Sequence, residues 1–189
     1  MQAGAGAKAV ILVEGGSDRC AVEALARRCG RDLAAEGVVV VPMGGATNIR
    51  HYLEYLGPHG LDLEVAGLCD SGEDRYFLRA LEVAGLGRDL TRGDMERLGF
   101  FVCVEDLEDE LIRALGVDRV EEVVAAEGEL RSLRSLQKQP AQRGREPQQQ
   151  LRRFLGSRSG RKSRYAELLV DRLDLGRLPR PLERTLARV

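Results

Sequence analysis

Val10-Ile11-Leu12-Val13-Glu14-Gly15-Gly16-Ser17-Asp18 is the stretch that decides the fold. An apolar run beginning at Ala9 ends abruptly in a carboxylate, followed by two glycines, a serine and a second carboxylate. Beyond them Ala21, Val22 and Leu25 recur at helical spacing, with Ala24 beside them. Together these are a buried strand, a tight turn and a helix start. Glu14 then stands at the carboxyl end of the strand and Asp18 in the first helical turn. Ligands of open α/β sheets bind in the crevice at that edge. Helix capping by Ser17 or Asp18 accounts for the second acid, since an anion is favourable at a helix N-terminus. It does not account for Glu14, because a carboxylate beside a buried strand needs water, a counter-charge or a cation.

The same unit recurs along the chain. Val38 to Val41 runs into Pro42 and the turn Met43-Gly44-Gly45-Ala46-Thr47-Asn48, then a helix through Ile49, Tyr52, Leu53 and Leu56. The Gly-Gly pair is either a plain turn or a set of backbone N–H groups offered to a phosphate. Leu63 to Cys69 ends in Asp70-Ser71-Gly72-Glu73-Asp74, before a helix carrying Phe77, Leu78 and Leu81. Phe100 to Val104 ends in Glu105-Asp106-Leu107-Glu108-Asp109-Glu110 and continues through Leu111, Ile112 and Leu115. Continuous apolar strands alternating with helices indicate a mostly parallel sheet covered on both faces. Right-handed crossovers put the strand ends on one edge. Acids at Glu14, at Asp70 and at Glu105 to Glu108 therefore converge there, where they repel and raise one another's pKa. A hard divalent cation with oxygen ligands removes that cost.

A chain of 189 residues accommodates one domain with an appendage, or two small ones. Its 29 Lys and Arg against 30 Asp and Glu argue neither for nor against nucleic acid. The distribution is more telling. Eleven basic residues lie between Arg131 and Arg164, with Glu146 the sole acid among them. That stripe is the footprint of a phosphate-backbone binder; a solvated helix face is the alternative, and the shortage of local acids for helix ion pairs weighs against it. The segment is helical in pattern around Val120 to Val124 and Leu130 to Leu136. Gly144 and Pro147 then break Gln142 to Gln150 into an expected mobile loop. Lys162 falls where the helix of Tyr165 and Leu168 begins, a poor place for cations unless an anion is bound there. Cys20, Cys29, Cys69 and Cys103 have no paired spacing, which argues against zinc or a disulfide framework. His51 and His59 read as surface residues. No signal-peptide region or membrane-spanning stretch is present, so the expected location is cytoplasmic, with no membrane partner.

The run Val13-Glu14-Gly15, Asp70 at a later strand end and the glycine turn between them resemble a Toprim domain, the catalytic module of topoisomerases, primases and several nucleases. The likeness is closer to the OLD (overcoming lysogenization defect) family of nucleases. There the first motif resembles Glu14-Gly15-Gly16-Ser17-Asp18, a later acidic motif resembles Asp106-Leu107-Glu108-Asp109-Glu110, and a late lysine resembles Lys162. The chain also resembles short actinobacterial-type proteins labelled ATP-dependent endonucleases, which carry the Toprim region alone. The likeness is strongest from Ala9 to Gly116. Two departures stand out. Toprim domains usually carry Asp-x-Asp where this chain has Asp70-Ser71-Gly72, so Glu73 or Asp74 would have to replace the second acid. The phosphate loop of an ATPase is missing, so either a separate ATPase subunit partners the chain or the ATP-dependent label is inherited by analogy.

The resulting expectation is an α/β Toprim-like domain over residues 1–116, a mostly parallel sheet flanked by helices. A helical, basic extension over 117–189 completes the site. The resemblance implies a Mg2+- or Mn2+-dependent endonuclease acting on DNA by a two-metal mechanism. Glu14, Asp18, Asp70, Asp106 and Glu108 are the expected metal ligands, Lys162 acts with Glu14 in catalysis, and Arg152, Arg153, Arg158 and Arg161 bind nucleic acid. The competing expectations are a Toprim scaffold that binds nucleic acid or a partner ATPase without chemistry, and phosphoryl chemistry on a small phosphorylated substrate.

Overall fold

Four apolar runs become four parallel strands in a computed structural model that describes residues 6–189. β1 (Ala9–Val13), β2 (Val38–Pro42), β3 (Glu64–Cys69) and β4 (Phe100–Val102) lie in the order β2-β1-β3-β4. Every neighbouring pair is parallel. The central strand β1 is buried throughout, and its side chains sort by parity. Ala9, Ile11 and Val13 enter one core, while Val10 and Leu12 enter the other, as the two-residue repeat of a strand requires.

Helices cover both faces. One face carries α3 (Ile49–Leu56), α4 (Asp74–Val83) and α5 (Arg92–Arg97), which bury Ile49, Leu53, Phe77, Leu81 and Met95. The other carries α1 (Gly16–Arg28) and α6 (Leu107–Leu115), with the short α2 (Leu33–Glu36) at the start of β2. Neither α2 nor α5 is long enough for sequence periodicity to reveal it. On β3, a Cβ at Gly67 would stand 2.6 Å from Phe100 Cδ1 and 3.2 Å from the Leu12 carbonyl. Glycine there lets the Phe100 ring lie across the strand and meet Phe77 edge-to-face.

The remaining helices are α7 (Val117–Ala126), α8 (Leu130–Gln137), α9 (Pro147–Leu155), α10 (Arg161–Val170) and α11 (Arg180–Ala187). They do not form a core of their own. Val124, Leu133, Leu151, Phe154, Tyr165, Leu169 and Leu182 belong to the same cluster as Ile11 and Leu25. The boundary expected after residue 116 therefore does not separate two cores. A fully buried apolar side chain contributes about 1.5–3 kcal/mol against a total stability of about 5–15 kcal/mol, so the sheet depends on these helices.

The loop expected over Gln142 to Gln150 is shorter than its breakers suggest. Pro147 is the first residue of α9 rather than an interruption, because its fixed φ suits that position and its missing N–H costs nothing there. Gln150 Nε2 donates to the Gln142 carbonyl at 2.8 Å and ties the loop to the helix. Among the described residues no helix is long and apolar enough to cross a membrane.

Candidate metal-binding site

Glu14 is the best-fixed acid of the sheet edge. Its carbonyl accepts the N–H groups of Gly44 and Gly45, both at 3.1 Å. Its side-chain Oε1 accepts the Asp70 N–H at 2.9 Å. The Gly-Gly turn thus has its amides engaged by the protein, which excludes the phosphate-cradle alternative for these two groups. Gly44 and Gly45 adopt positive φ values of 73° and 122°, and this conformation aims both amides at the end of β1.

Asp70 is set beside Glu14 because β1 pairs with β3, with Leu12 against Gly67, and the β3–β4 pairing continues past the strands through Cys103 N–H to the Cys69 carbonyl and Ser71 N–H to the Glu105 carbonyl. Burial, then the carboxylates of Glu14, Asp18, Asp106 and Glu108, push the Asp70 pKa up from 3.8 to about 8. Asp18 accepts the Gly15 N–H at 2.8 Å, so capping does occur. Burial still outweighs that bond and, with Glu108 and Glu14 nearby, raises Asp18 to about 7. Burial also raises Glu14, opposed by the Asp70 N–H and assisted by Glu73. Acids at the ends of β1 and β3 and in α1 and the start of α6 are thus near enough to sense one another's charge.

The β4–α6 turn adds two more. Asp106 is the N-cap of α6, and its Oδ1 accepts the Asp109 N–H at 2.8 Å. Its Oδ2 accepts from Arg152 Nε of α9 at 2.6 Å. Glu108 is 4% exposed. Its Oε2 accepts from Lys162 Nζ of α10 at 2.9 Å, while Oε1 is buried without a hydrogen-bond partner. Burial acts to lower the Lys162 pKa, but the Glu108 hydrogen bond and the Asp106 and Asp18 charges hold it above its ordinary value. Asp109 and Glu110, by contrast, serve the fold. Asp109 accepts from Arg113 and Gln148, and Glu110 from the Val104 N–H.

Gly72 stands where the second acid of Asp-x-Asp would be, and a Cβ there would meet nothing within 4 Å. Of the two possible replacements, Asp74 is bound by Arg92 at 2.5 Å, whereas Glu73 is close enough to raise Glu14. Among the described residues no group of three His, Cys, Asp or Glu side chains is already gathered to hold a metal ion. Asp106 and Glu108 face cations of the chain itself instead.

The basic segment is corrected most by the structure. The acids missing from it locally arrive from earlier helices. Arg134 pairs with Glu121 at 2.6 Å, Arg164 pairs with Glu127, and Lys162 and Arg152 pair as described. Arg161, expected on a nucleic-acid face, is 5% exposed. It bonds to Glu129, Ser157 and the Phe154 carbonyl and stacks on the Phe154 ring, so it is a structural cation. The anions that accommodate cations at the start of α10 are thus protein carboxylates. Arg153 and Arg158 are exposed, and no ion pair among the described residues engages them. Arg145, one of the basic stripe but not among the expected nucleic-acid contacts, joins Arg152 and Arg153 around a cavity of about 540 Å³ that reaches Asp106. Nothing in the local pattern singles it out, since its neighbours come from α6 and α9.

Residues 7–71 match the family described as overcoming lysogenization defect protein-like, TOPRIM domain. Over those residues the chain is similar to an OLD-like Toprim domain. The C-terminal region of the Xanthomonas campestris pv. campestris OLD protein superposes with a TM-score of 0.77 at 27% identity, covering 97% of this chain and 92% of that one. The C-terminal region of the Burkholderia pseudomallei OLD protein gives a TM-score of 0.75 at 22% identity, with 96% of each chain covered. A comparison with curated proteins returned no match. Glu14, Asp18 and Asp70 lie within the matched Toprim segment. Asp106, Glu108 and Lys162 lie beyond it, in the region that only the structural likeness covers.

Proposed function

We propose that the protein is a divalent-metal-dependent nuclease that hydrolyses phosphodiester bonds of DNA. The observation that carries this is a set of acids whose burial and mutual repulsion lift Asp70 to about 8 and Asp18 to about 7, beside a buried Glu108 oxygen without a partner. Such an arrangement is costly for a fold and suits a cation. Glu14, Asp18, Asp70 and Glu108 through Oε1 would hold magnesium or manganese, and Asp106 would do so once its Oδ2 is released. A bound ion supplies charge neutralisation of the scissile phosphate and a water acidified towards neutral pH. Lys162, bonded to Glu108, would stabilise negative charge developing on the phosphate. Arg153 and Arg158 offer free guanidinium groups to the backbone of the polymer.

One observation favours a second reading, a nucleic-acid-binding scaffold without chemistry. The contacts of Arg152 and Lys162 with Asp106 and Glu108 already neutralise part of the site, and Gly72 leaves the second Toprim acid absent. Incubation with supercoiled and linear DNA in magnesium, manganese or EDTA separates the two. Metal-dependent cutting that is lost in Glu14→Gln and Asp70→Asn supports the nuclease. Equal DNA binding with and without metal, and no cutting, establishes the scaffold. Lys162→Ala should slow cutting by about 10²–10³-fold while leaving DNA affinity nearly unchanged, the pattern of a group acting in the transition state.

A further inference from the structure

We infer that the cavity between α9 and the β4–α6 turn is a phosphate-binding subsite, and that Arg152 exchanges between Asp106 and a nucleic-acid phosphate held there. Metal binding and phosphate binding are thereby coupled. The inference rests on the metal-dependent reading of the acidic site and adds an order of assembly to it.

Three arginines, Arg145, Arg152 and Arg153, line this cavity with Gln149 and Gly156, and Asp106 is its single acid. Its volume of about 540 Å³ is larger than one phosphate needs and suits a phosphate with its flanking sugar. The two expected ligands on α6 differ in readiness. Glu108 can accept a cation through the unpartnered Oε1 while Oε2 keeps Lys162. Asp106 has no such spare oxygen. Oδ1 caps α6 through the Asp109 N–H, and Oδ2 holds Arg152 Nε at 2.6 Å. Ligation through Oδ2 would set a cation against the Arg152 guanidinium bonded there at 2.6 Å, and repulsion between the like charges favours the departure of Arg152. The Glu105 carboxylate, 3.4 Å from the same guanidinium, also retains it in the resting state.

A guanidinium that leaves one oxyanion passes to water or to another oxyanion, and Arg152 already borders a cavity with two further arginines. A phosphodiester there accepts a planar fork of donors as a carboxylate does. A divalent cation then replaces the guanidinium at Asp106. Each ligand favours the conformation that the other needs, so by linkage each tightens the other's binding equally. Without nucleic acid, Arg152 keeps Asp106 from the metal, which restrains full assembly of the site until a polymer is seated.

The test measures Mn2+ affinity directly, by the loss of the free-ion magnetic resonance signal. It is made on the full chain, alone and with a short oligodeoxynucleotide lacking terminal phosphates, a mononucleotide, or inorganic phosphate. In wild type the oligonucleotide should tighten the Asp106-dependent Mn2+ site by about tenfold, within the usual range of coupling. Arg152→Gln should bind Mn2+ about tenfold more tightly than wild type without nucleic acid and gain little from the oligonucleotide. The pair Arg145→Gln and Arg153→Gln touches neither acid, and should keep wild-type Mn2+ affinity while losing the oligonucleotide effect. The mononucleotide and inorganic phosphate arms show whether a terminal or free phosphate also fills the subsite; an effect from these but not from the oligonucleotide would overturn the internal-diester assignment. Unchanged Mn2+ affinity in Arg152→Gln with the oligonucleotide effect intact would overturn the coupling and leave the nuclease reading standing. No Mn2+ binding by wild type under any condition would overturn both.

Discussion

Replacing Asp70 by asparagine should stabilise the metal-free protein at high pH, because this carboxylate sits where ionisation is opposed from several sides. Burial and four neighbouring acids raise its pKa from 3.8 to about 8. Between those values the folded chain retains a proton that the unfolded chain has lost. Its contribution to stability is therefore fully present below pH about 4 and declines as pH rises towards about 8, the reverse of an acid in a salt bridge. In a sealed interior the rise would correspond to about 5–6 kcal/mol at about 1.4 kcal/mol per pKa unit. Asp70 is only partly buried, and solvent screening reduces the effect to about 1–2 kcal/mol. For a chain of this length that is a rise in Tm of roughly 2–8 °C for Asp70→Asn near pH 8, at about 2–4 °C per kcal/mol. The variants should converge near pH 4. Thermal melts in EDTA across that range give the difference directly, and the same melts in excess magnesium should reverse its sign, since only wild type retains the ligand. An asparagine variant no more stable than wild type at high pH in EDTA, or equally shifted at both ends, would refute the electrostatic account of the site.

Other consequences are as specific. Metal affinity should increase as pH rises through about 7 to 8, where Asp18 and Asp70 lose their protons, since ligation requires the ionised acids; calorimetry in buffers of different ionisation enthalpy would also report the protons released. Neutralising Arg145, Arg153 and Arg158 together should flatten the dependence of DNA affinity on salt by about one unit of log–log slope for each phosphate no longer neutralised, and an unchanged slope would make them ordinary surface cations. Arg161→Met should destabilise the fold by about 3 kcal/mol by leaving Glu129 without its buried partner, measurable by urea melts. Gly67→Ala should cost about 1–3 kcal/mol by forcing Phe100 off β3, which also parts its ring from that of Phe77; urea melts would measure this too.

The strands, their parallel order on one edge and the acids Glu14, Asp70 and Asp106 were legible in the chain, because strand burial and carboxyl-end placement are local consequences of apolar runs followed by turns. The Toprim likeness was legible for the same reason: its first motif is one contiguous strand–turn–helix unit. Neither the partners of the basic segment nor the sharing of one core by residues 117–189 and the sheet could be read this way. Arg161 and Arg153 lie in similar stretches of sequence, yet one stacks on Phe154 beside Glu129 while the other faces solvent. That difference is set by which helix faces pack together, and ion pairs between residues more than thirty positions apart, such as Arg161 with Glu129, leave no periodic trace. Asp106 shows the division most plainly. Its place at a strand end and helix start follows from Val102 to Leu111 alone, whereas its engagement by Arg152, forty-six residues later, exists only because α9 docks against α6.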